Sequence, residues 1–522
     1  MMAGEAVLLG LDLGISTAKA ALFAPDGVLL GLESEEYLII AEGARVEADP
    51  EVYWTPVVRS IRRLLERWEG DPSQIAAVSV SSHAETVISL AGDGKPTRPA
   101  LVWMDNRSQA EATELLETLG AQRVLEISGQ PEVGPIWPVT KFRWLSLHEP
   151  DTVRRTAKFL LPEDYILYRL SGEFIGEHSL WGSSLVLDIR RKEWSEELLA
   201  FGRIGAEKLP NLVGSGTAFG RVSRECSSET GLSTSTRVVA GALDQTCAAI
   251  AAGNVKPGIV TESTGSVLAL VATIAEPIFD LETKVPCHIH AVPGLYCMLP
   301  WNPTGGLALK WFKDRFAEKQ ADEARAEGRD VYEQLTDEAG RVPAGSHGLI
   351  MLPHLEGAFF PEFDPHARAV FFGFRLGHGK AHFTRAIMEA VAFMIRRDLE
   401  GINRLGVGAK ELRVLGGGAK SRLWSQIKAD VCQMPVVVPS HGEAAVLGAA
   451  MLAAVGSGLH RDIPIAVTSM AREGERLEAS PDSREVYEAA FGLYVSLYDR
   501  VKDLFKRSAI IEEMASRTRE LV

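Results

Sequence analysis

The stretch LLGLDLGISTAK, residues 8–19, decides the fold class that this sequence predicts. An apolar run ends in Asp12, the chain turns at Gly14, and the apolar stretch AALF resumes after Lys19. This pattern predicts two buried strands joined by a tight turn. The turn exposes backbone N–H groups beside the hydroxyls of Ser16 and Thr17, an arrangement that can hold phosphate oxygens.

The charged residues of this hairpin add to the phosphate interpretation. Asp12 can hold Mg²⁺, because that ion takes few carboxylates and keeps several waters. Lys19 adds a positive charge close by. A plain β-hairpin with a capping aspartate is the alternative that this stretch alone leaves open.

Composition narrows the class of protein. The 522 residues are enough for two or more domains, and the net charge of −14 argues against nucleic acid or an anionic membrane as the main partner. Five scattered cysteines without a CxxC pair suggest a reducing compartment. MMAGEAV at the start lacks signal-peptide features, and AAVLGAAMLAAVG is too short to span a membrane. We therefore expect a cytoplasmic enzyme.

The order of predicted elements indicates a two-domain α/β protein. Strands and helices alternate to about residue 250, and residues 49–68 have helical apolar spacing. KPGIVTESTGSVLALVA, residues 256–272, then repeats the opening strand–turn–strand design, which suggests related halves. Near the end, a small-residue helix is predicted to stop at Gly456, and an amphipathic helix follows residue 480.

Two further stretches carry acids or glycines at the ends of predicted strands. In GALDQTCAAIAAG, Asp244 opens a helix, whose dipole is expected to keep the carboxylate ionised for work as a base or a metal ligand. A simple helix N-cap is the alternative. LGGGAKS, residues 415–421, allows close approach of the backbone to a flat ligand. Neither GxGxxG nor GxxxxGK[ST] occurs, so no dinucleotide fold or P-loop is predicted.

Two histidine-bearing stretches have different interpretations. SSHAET, residues 81–86, places His83 and Glu85 on one side of a strand end, where they could bind hydroxyl groups. An exposed strand edge without a binding role is the alternative interpretation. CHIH, residues 287–290, could suggest a metal site. Strand packing is favoured there, since alternate residues would face opposite sides of a hairpin turning at Pro293–Gly294.

Taken together, these blocks resemble the FGGY carbohydrate kinases nearly from end to end. The resemblance is carried by DLGISTAK, RPALVWMDNR, GALDQ, STGSVL, WNPTGGLALKWFKD, LGGGAKSRLWSQIKADV and EAAVLGAAMLA, in that order. It implies two actin-like (RNase H-like) domains with an interdomain cleft, residues 1–251 on the sugar side and 252–522 on the nucleotide side. It also implies ATP and Mg²⁺ as cofactors.

The resemblance also implies roles for individual residues. Asp244 would be the general base and Asp12 would organise Mg²⁺, while His83, Glu85, Trp103 and Asp105 would lie on the sugar side. Ile15 departs from the family, which has threonine there, so Ser16 or Thr17 would supply that hydroxyl. The residues implied to bind nucleotide or phosphate are Gly14, Ser16, Thr17, Lys19, Thr264, Gly265, Gly305, Gly306, Gly416, Gly417 and Gly418.

The implied activity is ATP-dependent phosphorylation of a hydroxyl of a small sugar or polyol. SSHAET departs from the GQMHG of xylulokinases towards the QRET of glycerol kinases. A pentulose such as xylulose is expected first and a tetritol such as erythritol second, with glycerol poor. A glycerol-type polyol kinase and a non-catalytic actin-like protein that binds ATP or sugar are the alternatives, and a homodimer is one expected state.

Overall fold

The computed structural model describes residues 6–41 and 43–519, apart from the side chains at 512, 513 and 516–519. The chain groups into two compact units. Unit 1 takes in the chain up to Lys256 together with Thr273–Met298 and Glu443–Arg472, and unit 2 takes in Pro257–Ala272, Leu299–Gly442 and the chain from Glu473. The chain contains two large mixed sheets, one of six and one of eight strands.

The strands within the described residues are mostly short, and the long ones belong to the two central sheets. In chain order they are β1 (Val7–Leu13), β2 (Thr17–Phe23), β3 (Leu29–Glu36), β4 (Glu47–Ala48), β5 (Ile75–Ser82), β6 (Ile88–Leu90), β7 (Ala100–Leu101), β8 (Lys158–Leu160), β9 (Ile175–Glu177), β10 (Leu187–Asp188), β11 (Glu193–Trp194), β12 (Asn211–Val213), β13 (Ala218–Arg221), β14 (Arg237–Leu243), β15 (Ile259–Thr264), β16 (Leu268–Ile274), β17 (Cys287–Ile289), β18 (Tyr296–Met298), β19 (Trp301–Asn302), β20 (Ile350–Leu352), β21 (Val370–Phe372), β22 (Glu411–Leu415), β23 (Val436–Val438) and β24 (Glu475–Leu477).

The α-helices within the same residues alternate with these strands. They are α1 (Glu51–Arg67), α2 (Gln109–Leu119), α3 (Ala121–Ser128), α4 (Pro138–His148), α5 (Pro150–Arg155), α6 (Pro162–Ser171), α7 (His178–Trp181), α8 (Glu196–Gly202), α9 (Arg224–Thr230), α10 (Asp244–Ala251), α11 (Leu307–Phe316), α12 (Glu318–Glu327), α13 (Val331–Gly340), α14 (Lys380–Arg404), α15 (Arg422–Cys432), α16 (Ala444–Ser457), α17 (Ile463–Met470) and α18 (Arg484–Arg519).

The sheet of unit 1 has the strand order β13-β14-β5-β1-β2-β3. β1 and β2 form the predicted hairpin, while β5 runs parallel to both β1 and β14. The inner strands are buried on both faces, as expected for parallel strands covered by helices. Helix α1 packs on one face through Val57, Ile61 and Leu64, and α16 and α10 pack on the other. The helical spacing predicted for residues 49–68 is therefore confirmed.

The sheet of unit 2 repeats the spatial order and the directions of these strands. β15 and β16 form a hairpin, β22 runs parallel to β15, β23 runs parallel to β22, and β24 closes the edge in the antiparallel sense. These strands correspond in order to β1, β2, β5, β14 and β13 of unit 1. The two related halves inferred from the repeated strand–turn–strand design are therefore present as a repeated sheet topology.

Helix α16 differs from its sequence-based prediction in where it ends. It passes through Gly456 to Ser457, and Gly458 terminates it in the left-handed conformation with φ of 84°. Gly456 serves packing instead, because a Cβ there would lie 2.5 Å from Val239 Cγ2. The helix also groups with unit 1, although the sequence placed it in the C-terminal half.

The stretch CHIH forms the predicted strand hairpin, with β17 antiparallel to β18 and a turn at Gly294. Its two histidines are buried, and burial lowers the pKa of both His288 and His290 to about 4, so they are neutral. Among residues 6–41 and 43–519, no cluster of three or more histidine, cysteine or acidic side chains is arranged to hold a metal ion. No helix among those residues is long and apolar enough to cross a membrane.

Candidate active site

The central strands of unit 1 bring two acids to one edge of the sheet. β5 lies between β1 and β14 and is parallel to both, with Ser82 opposite Leu13 on one side and Leu243 on the other. Asp12 is the second-last residue of β1, and Asp244 directly follows β14. The carboxyl ends of parallel strands are the usual place for binding sites in α/β sheets. Asp12 and Asp244 thus share this edge despite 232 residues of separation.

Asp12 occupies a polar position within a buried strand. Ser81 Oγ donates a hydrogen bond to Asp12 Oδ1 at 2.9 Å, and Lys19 lies opposite Asp12 in the β1–β2 register. Burial raises the pKa of the Asp12 carboxyl to about 6, although Ser81 and the Lys19 charge act in the opposite direction. A cation beside this carboxylate would restore its ionised form.

Glu443 is a site residue that the sequence analysis did not find. It directly precedes α16, and its Oε2 lies 2.5 Å from Lys19 Nζ. Lys19, predicted to lie near phosphates, is therefore already paired with a carboxylate. The two residues are 424 positions apart, so nothing in the local sequence of either indicates the pair.

Asp244 is the first residue of α10, as the sequence predicted, but the protonation state differs from the expectation. Burial, together with the negative charges of Asp12 and Glu85, raises the pKa of Asp244 to about 7, while the Gln245 N–H at 2.7 Å lowers it less. The helix N-terminus was expected to keep the carboxylate ionised. Desolvation and like charge outweigh that effect, and a pKa near neutrality suits a general base.

Glu85 and His83 lie at the end of β5. Glu85 adopts a left-handed backbone conformation with φ of 66°, and Ser183 Oγ donates a hydrogen bond to its carboxylate. Burial raises the pKa of Glu85 to about 7. His83 Nδ1 lies 3.1 Å from the Leu13 carbonyl oxygen, and burial lowers the pKa of the ring to about 4. Nδ1 therefore carries the proton, and the buried Nε2 has no partner among the described residues.

Lys141 is a second residue that the sequence analysis missed. It lies on α4 with no exposed surface, and its ammonium donates to the carbonyl oxygens of Trp103 at 3.5 Å, Pro135 at 2.9 Å and Ile136. Burial lowers its pKa to about 7, while the charge of Glu85 raises it. The only sequence signal was a lysine among the buried residues Val139, Phe142 and Leu145 of one helix.

The structure changes the role of Asp105. This residue was predicted to contact sugar, but it has no exposed surface, and both carboxylate oxygens are occupied. The Val46 N–H donates to Oδ2 at 2.7 Å, and the Arg107 guanidinium donates to both oxygens at 2.8 Å. Asp105 therefore stabilises the loop after β7. Trp103 is half-buried in that loop, with its N–H bonded to Thr86 Oγ1 at 3.1 Å.

The turn between β1 and β2 has the predicted form. The Gly14 N–H donates to the Thr17 carbonyl at 3.0 Å, and the carbonyl of Ser16 accepts from the Tyr37 N–H. Within the described part of the chain, the N–H groups of Ile15 and Ser16 have no hydrogen-bond partner. These two N–H groups at an exposed turn form an anion-binding geometry.

The turn between β15 and β16 in unit 2 has a similar arrangement. The Gly265 N–H donates to the Val267 carbonyl at 3.1 Å, while the N–H groups of Ser266 and Val267 are unpaired among the described residues. Thr264 was predicted to contact phosphate. In the structure it is buried, and its hydroxyl is bonded to Glu262 and Lys428. The hairpin thus offers backbone N–H groups at its tip.

The remaining predicted glycines lie against this second hairpin. The N–H groups of Gly305 and Gly306 donate to the carbonyls of Ser266 at 2.9 Å and Gly265 at 2.7 Å, so they support the turn from behind. Gly416 has φ of 77°, and a Cβ there would lie 2.8 Å from the Thr264 carbonyl oxygen. A Cβ at Gly418 would meet Thr264 Cβ at 2.7 Å, whereas Gly417 is exposed. The triple glycine therefore permits close packing on the hairpin.

Comparison with known proteins agrees with this arrangement. The model of the N-terminal domain of the FGGY family of carbohydrate kinases matches residues 7–251, and that of the C-terminal domain matches residues 264–457. A xylulose kinase of Bacillus subtilis is 30% identical, with 95% of this chain and 97% of that protein covered. A gluconokinase of the same organism is 28% identical, with coverage of 94% and 95%.

Solved structures show the same fold. The crystal structure of xylulose kinase from Rhodospirillum rubrum has a TM-score of 0.85 and 28% identity, covering 96% of this chain and all of that chain. Fold and site together define a sugar kinase of the actin-like, two-domain class. The chain belongs to the FGGY family of carbohydrate kinases, which use ATP as the phosphate donor.

Proposed function

We propose that this kinase transfers the γ-phosphoryl group of ATP to a hydroxyl of a small neutral ketose or polyol. A pentulose such as xylulose is the first candidate and a tetritol such as erythritol the second. Support for a pentulose comes from the relatives that are named xylulose kinase. Support for a neutral substrate comes from the charges around Asp244.

The observation that carries the proposal is the negative charge of the sugar-side residues. Asp244 is affected by the charges of both Asp12 and Glu85, which raise its pKa beyond what burial does. Lys141 is the cation that acts on Glu85, but its ammonium already donates to three backbone carbonyls. A substrate carboxylate would therefore meet carboxylates, while the ammonium of Lys141 is already hydrogen-bonded to the backbone. This arrangement disfavours aldonic acids such as gluconate.

The size of this discrimination follows from Coulomb's law. One added negative charge about 5 Å from a carboxylate costs about 3 kcal/mol at an effective dielectric constant of about 20. That energy corresponds to about a hundredfold in binding. Neutral hydroxyl groups, by contrast, can donate to Glu85 and to the unpaired Nε2 of His83.

In the proposed mechanism, Asp244 acts as the general base. Its carboxylate takes the proton from the attacking hydroxyl as the oxygen bonds to the γ-phosphorus and the bond to ADP breaks. A pKa of about 7 lets Asp244 be ionised at neutral pH and still be basic enough to accept that proton. The proton then passes from Asp244 to solvent.

The residues present also suit Mg²⁺. Asp12 and Asp244 repel each other, and both have raised pKa values, so a cation beside Asp12 would relieve the burial of charge. Mg²⁺ needs only one or two protein carboxylates when phosphates and water complete its shell. When bound, it would neutralise charge on the transferred phosphate. We assign Asp12 as its ligand.

An ADP-release screen tests the proposal. Xylulose, ribulose, erythritol, glycerol, gluconate and the pentonic acid xylonate are compared at equal concentration. We expect kcat/KM for a pentulose to exceed that for either acid by about a hundredfold, as the charge argument requires. Xylulose and xylonate form the matched pair, because they have the same chain length. Gluconate or xylonate as the best substrate would overturn the neutral-substrate proposal.

A further inference from the structure

A buried ion pair lies directly behind the hairpin of unit 2. Glu262 on β15 and Lys428 on α15 have fully buried side chains, and Lys428 Nζ lies 2.6 Å from Glu262 Oε2. Both residues contact the same third group, because Lys428 Nζ also donates to Thr264 Oγ1 at 2.9 Å. The Thr264 hydroxyl in turn donates to Glu262 Oε1. The three side chains therefore form a closed triangle beneath the turn.

This triangle uses the only proton of the Thr264 hydroxyl. A threonine hydroxyl has one donor and two acceptor positions, and a phosphate oxygen needs a donor. If Thr264 donated to phosphate, the Glu262 carboxylate would lose one of its hydrogen bonds, which is costly for a fully buried group. The free donors at this turn are instead the N–H groups of Ser266 and Val267.

We propose that Glu262 and Lys428 are positioning residues, which fix the hairpin through Thr264 so that Ser266 and Val267 present their N–H groups to the nucleotide phosphates. This inference rests on the proposed function, since it takes the hairpin as the phosphate-binding turn. The pair acts on the nucleotide side only, and the Thr264 hydroxyl makes no contact with ATP.

The neighbouring glycines extend the effect of the pair. Gly416 and Gly418 leave room for less than a methyl group between the triple-glycine turn and Thr264. Lys428 lies on the helix that follows this turn, with its Nζ 5.5 Å from the centre of the Trp424 ring. A displacement of Thr264 therefore moves the backbone of both the hairpin and the glycine turn.

A double-mutant cycle separates a hydroxyl that positions the hairpin from one that binds phosphate. Thr264→Val alone leaves Glu262 and Lys428 each without one hydrogen bond, so we expect kcat/KM for ATP to fall about tenfold to a hundredfold, with KM for sugar unchanged. Glu262→Leu with Lys428→Met replaces the ion pair by apolar groups, an exchange that is often neutral for stability. Because the hairpin then loses the pair that fixes Thr264, we expect kcat/KM for ATP to fall about tenfold to a hundredfold in this double variant as well, and a double variant at the wild-type value would overturn the proposal.

The triple variant with Thr264→Val, Glu262→Leu and Lys428→Met decides the question. We expect it to match the double variant within about threefold, since the hydroxyl then has no partner to lose. A fall from double to triple as large as that from wild type to Thr264→Val would overturn the proposal, because it would show that the hydroxyl binds the nucleotide directly. Lys410→Met, an exposed lysine before β22, is the matched control and should leave kcat/KM unchanged.

The Kd for ADP of each variant in the cycle is also measured, by titration calorimetry, because this measurement needs no sugar. If the assigned sugar is wrong, transfer is lost but the Kd values for ADP still follow the expected pattern. Failure of the proposed function and failure of this inference are therefore distinguishable. Thermal unfolding of each variant confirms that it folds. If the apolar pair does not fold, Glu262→Ala with Lys428→Ala provides a second background in which the hydroxyl has no partner, and additive effects of Thr264→Val there would equally contradict the proposal.

Discussion

Replacement of Asp244 by asparagine should make the protein more stable while it loses catalytic activity. The carboxylate is charged at a site where burial and two other acids disfavour charge, so its pKa rises from 3.8 to about 7. Asparagine keeps the shape and the acceptor for the Gln245 N–H but removes the ionisable group. The stability gain measures the electrostatic cost of keeping a base at this position.

The magnitude follows from linkage between protonation and folding. A pKa rise from 3.8 to about 7 corresponds to about 4 kcal/mol, at about 1.4 kcal/mol per pKa unit. The side chain is partly exposed, so solvent screening reduces the expected gain to about 2–4 kcal/mol. The folded form binds the proton more tightly than the unfolded form. The cost is therefore absent well below pH 3.8, grows as pH rises to about 7, and is constant above that.

Urea unfolding of wild type and Asp244→Asn at pH 4.5, 6, 7 and 8, in EDTA, measures this difference. We expect the two free energies of unfolding to differ by about 1 kcal/mol or less at pH 4.5 and by about 2–4 kcal/mol at pH 8. Glu117→Gln, an exposed glutamate on α2, is the control and should change stability by less than about 0.5 kcal/mol throughout. An Asp244→Asn protein that is less stable than wild type at pH 8 would refute the reasoning.

Three further predictions concern other parts of the site. Glu85→Ala should lower kcat/KM for the sugar by about a hundredfold, because sugar hydroxyls lose their acceptor. Steady-state kinetics should show this loss with an unchanged KM for ATP, and wild-type kinetics would remove Glu85 from the sugar site. Asp12→Ala should abolish Mg²⁺-dependent transfer and leave the melting curve cooperative, whereas global unfolding would indicate a structural role. Gly448→Ala should lower the free energy of unfolding by about 1–3 kcal/mol, because its Cβ would lie 2.1 Å from the Cys247 carbonyl oxygen beside α10; an unchanged urea midpoint would contradict that packing.

Features with local signals could be predicted from the sequence. The β1–β2 hairpin follows from an apolar run, a glycine turn and a second apolar run, and the helix beginning at Asp244 follows a buried strand. The repeated strand–turn–strand design indicated two related sheets before any pairing was known. The first two predictions depend on neighbouring residues in the sequence, and the third on a comparison of two such short stretches.

Features that depend on distant partners could not be predicted. Glu443 contacts Lys19, which lies 424 positions away in the sequence, and Lys428 contacts Glu262, which lies 166 positions away. In their local sequences, Glu443 and Lys428 look like ordinary surface charges. The hydrogen bonds of the Thr264 hydroxyl could not be predicted for the same reason, since its partners include Lys428 on a remote helix. Arg107, two residues after Asp105, was a local signal against a sugar contact, because its guanidinium donates hydrogen bonds to both oxygens of the Asp105 carboxylate.

Single-turnover transfer of labelled γ-phosphate from ATP to the best neutral substrate tests the central claim most directly. Wild type or Asp244→Asn, in excess over the labelled ATP, is mixed with saturating sugar, and labelled sugar phosphate is separated from inorganic phosphate. We expect labelled sugar phosphate from wild type, and transfer by Asp244→Asn that is slower by about 10²–10⁴ while its Kd for ATP is unchanged. Transfer by Asp244→Asn at the wild-type rate, or labelled inorganic phosphate as the only wild-type product, would contradict it.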